Sequence, residues 1–246
     1  MTGVPGSTPA RGPTAGRLAR GVWLMLVAAV IVTVVLVSPY VGLDIDDSRL
    51  DVGGSLHYTV LVAHIFTAAV AIVLGPLQFM DTVRARRAVH RTIGRVYLLA
   101  GVLPSAVTAI PVALWSGRIV TRIGLVTAAV LWLITGGLAY RAARRRDFAG
   151  HRDWMMRNYA LTFLAVTSRL LTPLLLLVQL PFGSGGGGPA GDRVASLIPI
   201  GQTLGWIVNL AVVEVVIRRR RRWGTGWKEA SRGRPAGRDG TAAPGR

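Results

Sequence analysis

Six ionisable residues lie inside or beside long apolar stretches of this chain: His57, His64, His90, His151, Arg169 and Glu214. Ionisable groups at membrane depth are costly and usually face a functional site, so these six are the candidates for chemistry. The sequence has no cysteine, which excludes disulfides, thiolate metal sites and cysteine nucleophiles. It also lacks phosphate-binding, zinc-protease and serine-hydrolase motifs and paired carboxylates, so hydrolase and nucleotidyl chemistry have no recognisable residues.

His90 and His151 each stand at the start of a predicted helix, in the segments AVHRTIGR and AGHRDWMMR. Because the third and fifth predicted spans run in the same direction, the two imidazoles are expected at similar depth and could face one another. Two such histidines on two helices can hold a six-coordinate haem iron, and imidazole also suits other transition metals. The pattern therefore indicates a b-type haem with these two iron ligands. The alternative is an interfacial or structural role, in which both bind lipid headgroups or cap helices.

His64 and Arg169 lie deeper in their apolar runs and are further candidates for cofactor binding. His64 shares a helix face with His57 and several small residues, which leaves room for a flat cofactor or for a closely packed helix. Arg169 must find an anion, a carbonyl oxygen or a water-filled cavity. It could bind a propionate, a substrate carboxylate or a quinone oxygen, or it could bond backbone carbonyls and have no ligand.

The composition predicts that lipid surrounds most of the chain. Of 246 residues, 51% are hydrophobic and 16% charged, and the mean hydropathy is +0.47, whereas soluble domains carry about 25% charged residues. The net charge of +18 suggests nucleic acid, but the basic residues form short blocks between uncharged runs, which argues against a nucleic-acid partner. The fold class predicted is an all-α bundle of six transmembrane helices. The spans are expected at about 21–40, 57–80, 96–116, 123–140, 157–180 and 194–217.

The arginine distribution predicts the orientation of these spans. With a cytoplasmic N-terminus, all but five of the 29 basic residues lie on inner segments, the exceptions being Arg49, Arg118, Arg122, Arg193 and the intramembrane Arg169. Both termini are therefore predicted to be cytoplasmic, with Glu214 either snorkelling towards the surface or pairing with an inner arginine. The domain of residues 21–217 is expected between disordered tails at 1–20 and 218–246, with a flexible loop at 182–191 and the basic tail near anionic lipid headgroups.

Three segments resemble a bacterial family of predicted membrane proteins, the domain-of-unknown-function 2306 family: GPLQF at 75–79, HRTIGRVYL at 90–98 and HRDWMMRNYALTFLAVTSRL at 151–170. The resemblance covers roughly residues 57–175 and implies a place in the bacterial inner membrane. On its pattern the family-defining positions are His64, His90, Arg91, Arg95, His151, Trp154, Met155, Arg157 and Arg169. The family has no established activity, so the resemblance implies no mechanism.

A looser resemblance is to cytochrome b561-type proteins, which hold two haems through histidines from paired helices of a four-helix core. The fourth predicted span of this chain, 123–140, contains no histidine. The resemblance therefore implies at most one haem with two histidine ligands, His90 and His151. Such a likeness lies at the level of the fold.

Three classes of function remain open on the sequence alone. The first is a haem-binding redox protein that exchanges electrons with a partner protein or a quinone. The second is a carrier in which His64 and Arg169 form a polar site for a proton or a small molecule. The third is a non-catalytic membrane scaffold, in which every polar residue serves packing or topology.

Overall fold

The computed structural model describes residues 13–46, 48, 52–179 and 190–232, and it is 88% helical. These ranges contain no β-strand, which confirms the predicted all-α class. The α-helices are α1 Pro13–Val37, α2 Ser55–Leu77, α3 Asp81–Ala85, α4 Arg87–Val96, α5 Leu103–Trp115, α6 Ile119–Arg144, α7 Phe148–Thr162, α8 Leu164–Gln179 and α9 Ala190–Arg232. A 3₁₀ turn, Ser38–Tyr40, follows α1, and a π-helical segment, Tyr97–Val102, joins α4 to α5.

Five helical stretches in the described ranges are long and apolar enough to cross a bilayer: Ala19–Tyr40, Ser55–Leu77, Arg87–Trp115, Ile119–Arg144 and Leu197–Arg222. A sixth results if α7 and α8, which are bent by 47°, count as one span. Large apolar side chains such as Leu24, Leu174 and Leu177 are exposed on the outside of the bundle. This is the expected arrangement where lipid replaces water around the helices.

The helix boundaries depart from the sequence expectation at three places. The helix that contains the third predicted span begins at Arg87 rather than near 96, because α4 runs without a break into the π-helical segment. Helix α9 extends to Arg232, so residues 218–232 are helical where a disordered tail was expected; arginine is a good helix former. Helix α1 starts at Pro13, a residue suited to a first helical turn. The rest of both expected tails, 1–12 and 233–246, and positions 182–189 of the expected loop lie outside the described residues.

The fifth predicted span is bent at Phe163, between α7 and α8. No proline lies at this position. Instead, the Thr162 hydroxyl donates to the Asn158 carbonyl at 3.1 Å, and threonine bonds to the preceding helical turn tend to bend helices. The bend separates α7, which carries His151, from α8, which carries Arg169.

Two glycines allow α2 to approach its neighbours closely. A Cβ added to Gly101, in the π-helical segment, would lie 3.0 Å from the backbone of Ala71. A Cβ added to Gly75 would overlap the ring of Tyr159, whose hydroxyl donates to the carbonyl of Ile72 at 3.1 Å. Small residues permit such close backbone contacts between membrane helices. Helix α2 is therefore held against both the π-helical segment and α7.

A buried polar network joins the π-helical segment, α6 and α7, and consists of Tyr97, Trp132, Thr135, Asn158 and Thr162. The Tyr97 hydroxyl donates to Asn158 Oδ1 at 2.6 Å and lies 2.9 Å from Thr162 Oγ1. Trp132 Nε1 donates to Thr162 Oγ1 at 2.9 Å. Asn158 Nδ2 donates to the Trp132 carbonyl at 2.8 Å and to Thr135 Oγ1 at 3.0 Å. Because lipid offers no replacement partners, these bonds fix the three segments relative to one another.

Candidate ligand cavity beside two histidines

A cavity of about 520 Å³ lies where α4, the π-helical segment, α6 and α7 meet. Its walls come from α4 and the π-helical segment on one side and from the end of α6 and the start of α7 on the other. The volume falls within the range of about 300–1,000 Å³ that is typical of small-molecule pockets. Most of the lining is apolar, including Leu98, Leu99 and Leu133. The cavity lies at the end of the bundle where segments 84–95, 141–157 and 218–222 meet, and we call this the arginine-rich end.

His90 of α4 and His151 of α7 both line the cavity. His151 Nδ1 is 2.8 Å from the carbonyl oxygen of Ala139, which can only accept, so Nδ1 donates and Nε2 of the neutral ring keeps its lone pair. His90 Nδ1 is buried and has no hydrogen-bond partner among the described residues. The structure thus brings the two histidines to one cavity, while iron binding by them stays a prediction.

Gln78, the residue that follows α2, also lines the cavity. It is 5% exposed, and its Nε2 has no hydrogen-bond partner within the described part of the chain. A buried donor left without a partner costs about 1–3 kcal/mol. Together with His90 Nδ1, this amide gives the cavity wall two unsatisfied polar atoms, which is the pattern expected of a site that binds a polar ligand group.

The charge of the cavity lining is positive. Arg91 and Arg95 belong to α4 and Arg144 to the end of α6, and neither aspartate nor glutamate lines the cavity. Arg91 Nε makes a long bond of 3.4 Å to the carbonyl of Arg87. Within residues 13–46, 48, 52–179 and 190–232, Arg95 and Arg144 make no side-chain hydrogen bond or ion pair. The cavity therefore suits a ligand that is apolar over most of its surface and anionic at one edge.

The acidic side chains described at the arginine-rich end have partners outside the cavity. Asp81 pairs with Arg84, and the carboxylate of Asp147 accepts from the Gly150 amide at 2.8 Å as the cap of α7. The other two join α7 to α9: Asp153 with Arg221 at 2.7 Å and Glu214 with Arg157 at 2.7 Å. Glu214 also lies 3.2 Å from Arg218, so of the two expected alternatives the structure shows pairing with arginine. None of these carboxylates is left to neutralise the arginines of the cavity.

Two glycines, one on each side of the cavity, leave space in it. A Cβ added to Gly137 would have no heavy atom within 4 Å, and one added to Gly94 would meet only the Gln78 amide, at 3.3 Å from its oxygen. At the next position in α6 the situation differs, because a Cβ on Gly136 would lie 3.2 Å from Asn158 Nδ2. The polar network therefore lies behind the α6 side of the cavity. The space beside Gly94 and Gly137 can accommodate a flat ring.

His64 does not line this cavity. It lies between α2 and α5, with Nδ1 2.9 Å from the Ser105 carbonyl oxygen and 3.1 Å from the Ser105 hydroxyl. Ser105 is fully buried. The contact joins two helices, and cofactor binding by His64 stays a prediction that no contact in the cavity supports.

Arg169 likewise lies outside the cavity lining. It is exposed on α8, and its Nη1 donates to the Ala165 carbonyl at 2.8 Å and to the Ser168 hydroxyl at 3.4 Å. These bonds correspond to the alternative in which the arginine binds a backbone carbonyl near a bend. Its role in ligand binding stays a prediction.

Sequence reasoning missed the contribution of α6. Gly137, Tyr140 and Arg144 all line the cavity. Their spacing of three and four residues places them on one helix face, so the signal was available at the end of the fourth apolar run. The signal is weak because that run contains no histidine and its arginine lies at the edge of the span, outside the apolar run.

Comparison with known protein families matches residues 61–217 to the model of a family described as a predicted membrane protein, DUF2306. The matched region contains every residue that lines the cavity, since the lining runs from Gln78 to Met155. No curated protein and no solved structure matches the chain.

Proposed function

Since the chain belongs to the DUF2306 family of predicted membrane proteins, whose description assigns no activity, we propose a function from the cavity itself. The protein is a haem-binding electron carrier of the membrane, and His90 and His151 hold one b-type haem between α4 and α7. The observation that carries this proposal is the hydrogen bond from His151 Nδ1 to the Ala139 carbonyl at 2.8 Å, at a ring that faces the same cavity as His90.

That hydrogen bond is typical of a metal-binding histidine. Such residues almost always donate the second ring N–H to a carbonyl or carboxylate, which fixes the ring and leaves the other nitrogen for the metal. Ala139 supplies the carbonyl from α6, the helix that precedes α7. On the other wall, His90 has an unpaired buried nitrogen. Two histidines from two helices of a bundle are a known way to hold a haem.

The remaining lining fits the same group. The volume of about 520 Å³ is of small-molecule size, and Gly94 and Gly137 keep side chains out of the space beside the histidines. The thioether of the buried Met155 adds a polarizable contact. A b-type haem would supply one-electron redox chemistry there, and the apolar walls would limit the access of water to it.

The orientation of the protein is part of this proposal. The arginine-rich end faces the cytoplasm of a bacterial inner membrane, with both termini on that side, because basic loops are retained there. The cavity then lies near the cytoplasmic surface, where a redox protein or a membrane quinone can exchange electrons with it. A reporter fused after residue 246 tests the orientation, since activity of a periplasm-only reporter would contradict it.

Absorption spectroscopy tests haem binding directly. Protein purified from haem-replete cells is expected to show a Soret band that His90→Ala and His151→Ala each abolish. The matched control is His57→Ala, because His57 packs against Trp115 with ring centroids 4.6 Å apart and does not line the cavity. This variant should keep the full Soret band.

The same experiment separates the proposal from the other function classes. Normally expressed wild-type protein without a Soret band or bound iron would contradict it. If, in addition, cells with the His57→Ala, His90→Ala and His151→Ala variants have the same phenotype as cells with the wild type, a scaffold role is favoured. A carrier role would instead predict loss of uptake on replacing His64 or Arg169 by leucine, with the spectrum unchanged.

A further inference from the structure

The arginines of the cavity set which edge of the ligand lies at the arginine-rich end. We infer that Arg91, Arg95 and Arg144, with the amide of Gln78, bind the carboxylates of the ligand, so that the two propionate groups of the haem face this end. The inference rests on the proposed function. It adds a chemical requirement that the histidines do not impose, namely that the propionate groups of the bound porphyrin are free carboxylates and not esters.

The first support is the distribution of the charge partners. Arginines elsewhere at this end pair with carboxylates, as Arg157 does with Glu214 and Arg221 with Asp153. The carboxylates whose contacts are described are thereby engaged, and none lines the cavity. The arginines of the cavity therefore lack a protein anion within the described ranges, although the surrounding walls are largely apolar. Guanidinium groups match carboxylates in geometry and form charge-assisted hydrogen bonds with them.

The second support is Gln78, because it is independent of charge. Gln78 is only 5% exposed and lines the cavity. Its Nε2 has no hydrogen-bond partner among the described residues. A carboxylate oxygen would satisfy this donor, since an ionised carboxylate only accepts. A purely apolar ligand would leave it buried and unpaired.

The third support is the placement of the arginines relative to the histidines. Arg91 follows His90 in α4, and Arg95 lies one turn further on the same helix. Arg144 ends α6, between Ala139, which holds His151, and the start of α7. Basic groups therefore border both walls that carry the proposed iron ligands. One planar molecule with an acidic edge can use both sets of residues.

The test compares two porphyrins that differ only at the acidic edge. Haem-depleted protein in neutral detergent is titrated with haem and with haem dimethyl ester, and binding is followed by the Soret band. Each charge-assisted contact is worth a factor of about ten in affinity, so haem should bind at least about tenfold more tightly than the ester. The variants Arg91→Gln and Arg144→Gln should each lower this preference by up to about tenfold. Their saturated spectra should match the wild type, because histidine ligation is unchanged.

Control variants separate carboxylate binding from general charge. Arg145→Gln removes a neighbouring arginine that does not line the cavity, so it should keep the preference. Arg144→Lys should restore part of it. A melting curve for each variant excludes misfolding. If Arg145→Gln loses as much as Arg144→Gln, or if the wild type binds both porphyrins equally, the inference is overturned while the proposed function stands. If neither porphyrin binds, both fail.

A lipid headgroup is the other source of an anion for these arginines. Adding phosphatidylglycerol to the micelles distinguishes the two sources. If the ligand's own carboxylates occupy the arginines, the preference for the free acid should survive an excess of this lipid. If the preference disappears, the arginines bind headgroups and the inference is wrong.

Discussion

The polar network and the cavity lie on two sides of neighbouring residues in α6. They differ in whether their buried polar groups have hydrogen-bond partners. In the network, Asn158 makes three side-chain hydrogen bonds and is fully buried. In the cavity, Gln78 is almost as buried, yet its amide nitrogen has no partner in the described chain. Satisfied polar groups stabilise helix packing, whereas unsatisfied ones beside open space indicate a place for a ligand. Burial of a polar residue alone would not have separated the two regions.

The largest expected difference between the regions comes from their two amides. Asn158→Leu should lower the free energy of unfolding by about 2–3 kcal/mol, because it removes the centre of the network and leaves its partners unpaired. Gln78→Leu should change it by less than about 1 kcal/mol in ligand-free protein, because no described hydrogen bond is lost. Reversible unfolding in mixed detergent micelles measures both. Equal losses would show that Gln78 is a packing residue.

Adjacent glycines of α6 give the next prediction. Gly136→Ala should destabilise the protein by about 1 kcal/mol, because Asn158 is held by its hydrogen bonds and cannot yield to the new methyl group. Gly137→Ala should stabilise it by up to about 1 kcal/mol, because alanine favours a helix and meets only open space. Thermal melting in detergent compares the pair. Opposite signs are expected, and a shared sign would mean that the wall of the cavity is closed.

Two tyrosines give the smallest effect. Tyr97→Phe should cost about 0.5–1 kcal/mol, since it removes the hydroxyl that bonds Asn158 and lies beside Thr162. Tyr140→Phe should change stability by less than about 0.5 kcal/mol, because Tyr140 lines the cavity and is 55% exposed. Amide hydrogen exchange in α6 and α7 is sensitive enough to measure both. Faster exchange in the Tyr140 variant alone would reverse the comparison.

The long apolar runs made the helical class and the approximate spans predictable, because lipid requires both apolar side chains and internally bonded backbone. The bend at Phe163 was not predictable, since it depends on which acceptor the Thr162 hydroxyl selects in a folded bundle. The π-helical segment has no local sequence signal either. Within it, Gly101 packs closely against Ala71, and these two residues are far apart in the chain.

For the candidate site, the shared direction of the third and fifth predicted spans located His90 and His151 at similar depth, and the structure places both beside one cavity. The sequence could not show that His64 contacts Ser105 or that Arg169 bonds its own helix, because those partners are chosen by helix rotation and by the bend. Gln78 could not be distinguished from any other amide at a helix end. Its importance depends on the absence of a partner, which only packing determines.

The ion pairs between α7 and α9 also set a condition on biosynthesis. When the ribosome has made α7 but not α9, Asp153 and Arg157 lack the partners that Arg221 and Glu214 supply in the finished protein. Both residues lie at the arginine-rich end, where water and lipid headgroups solvate a charge, so the fifth span can insert before the last helix is made. We expect α7 to take its final position only after α9 emerges and supplies these partners.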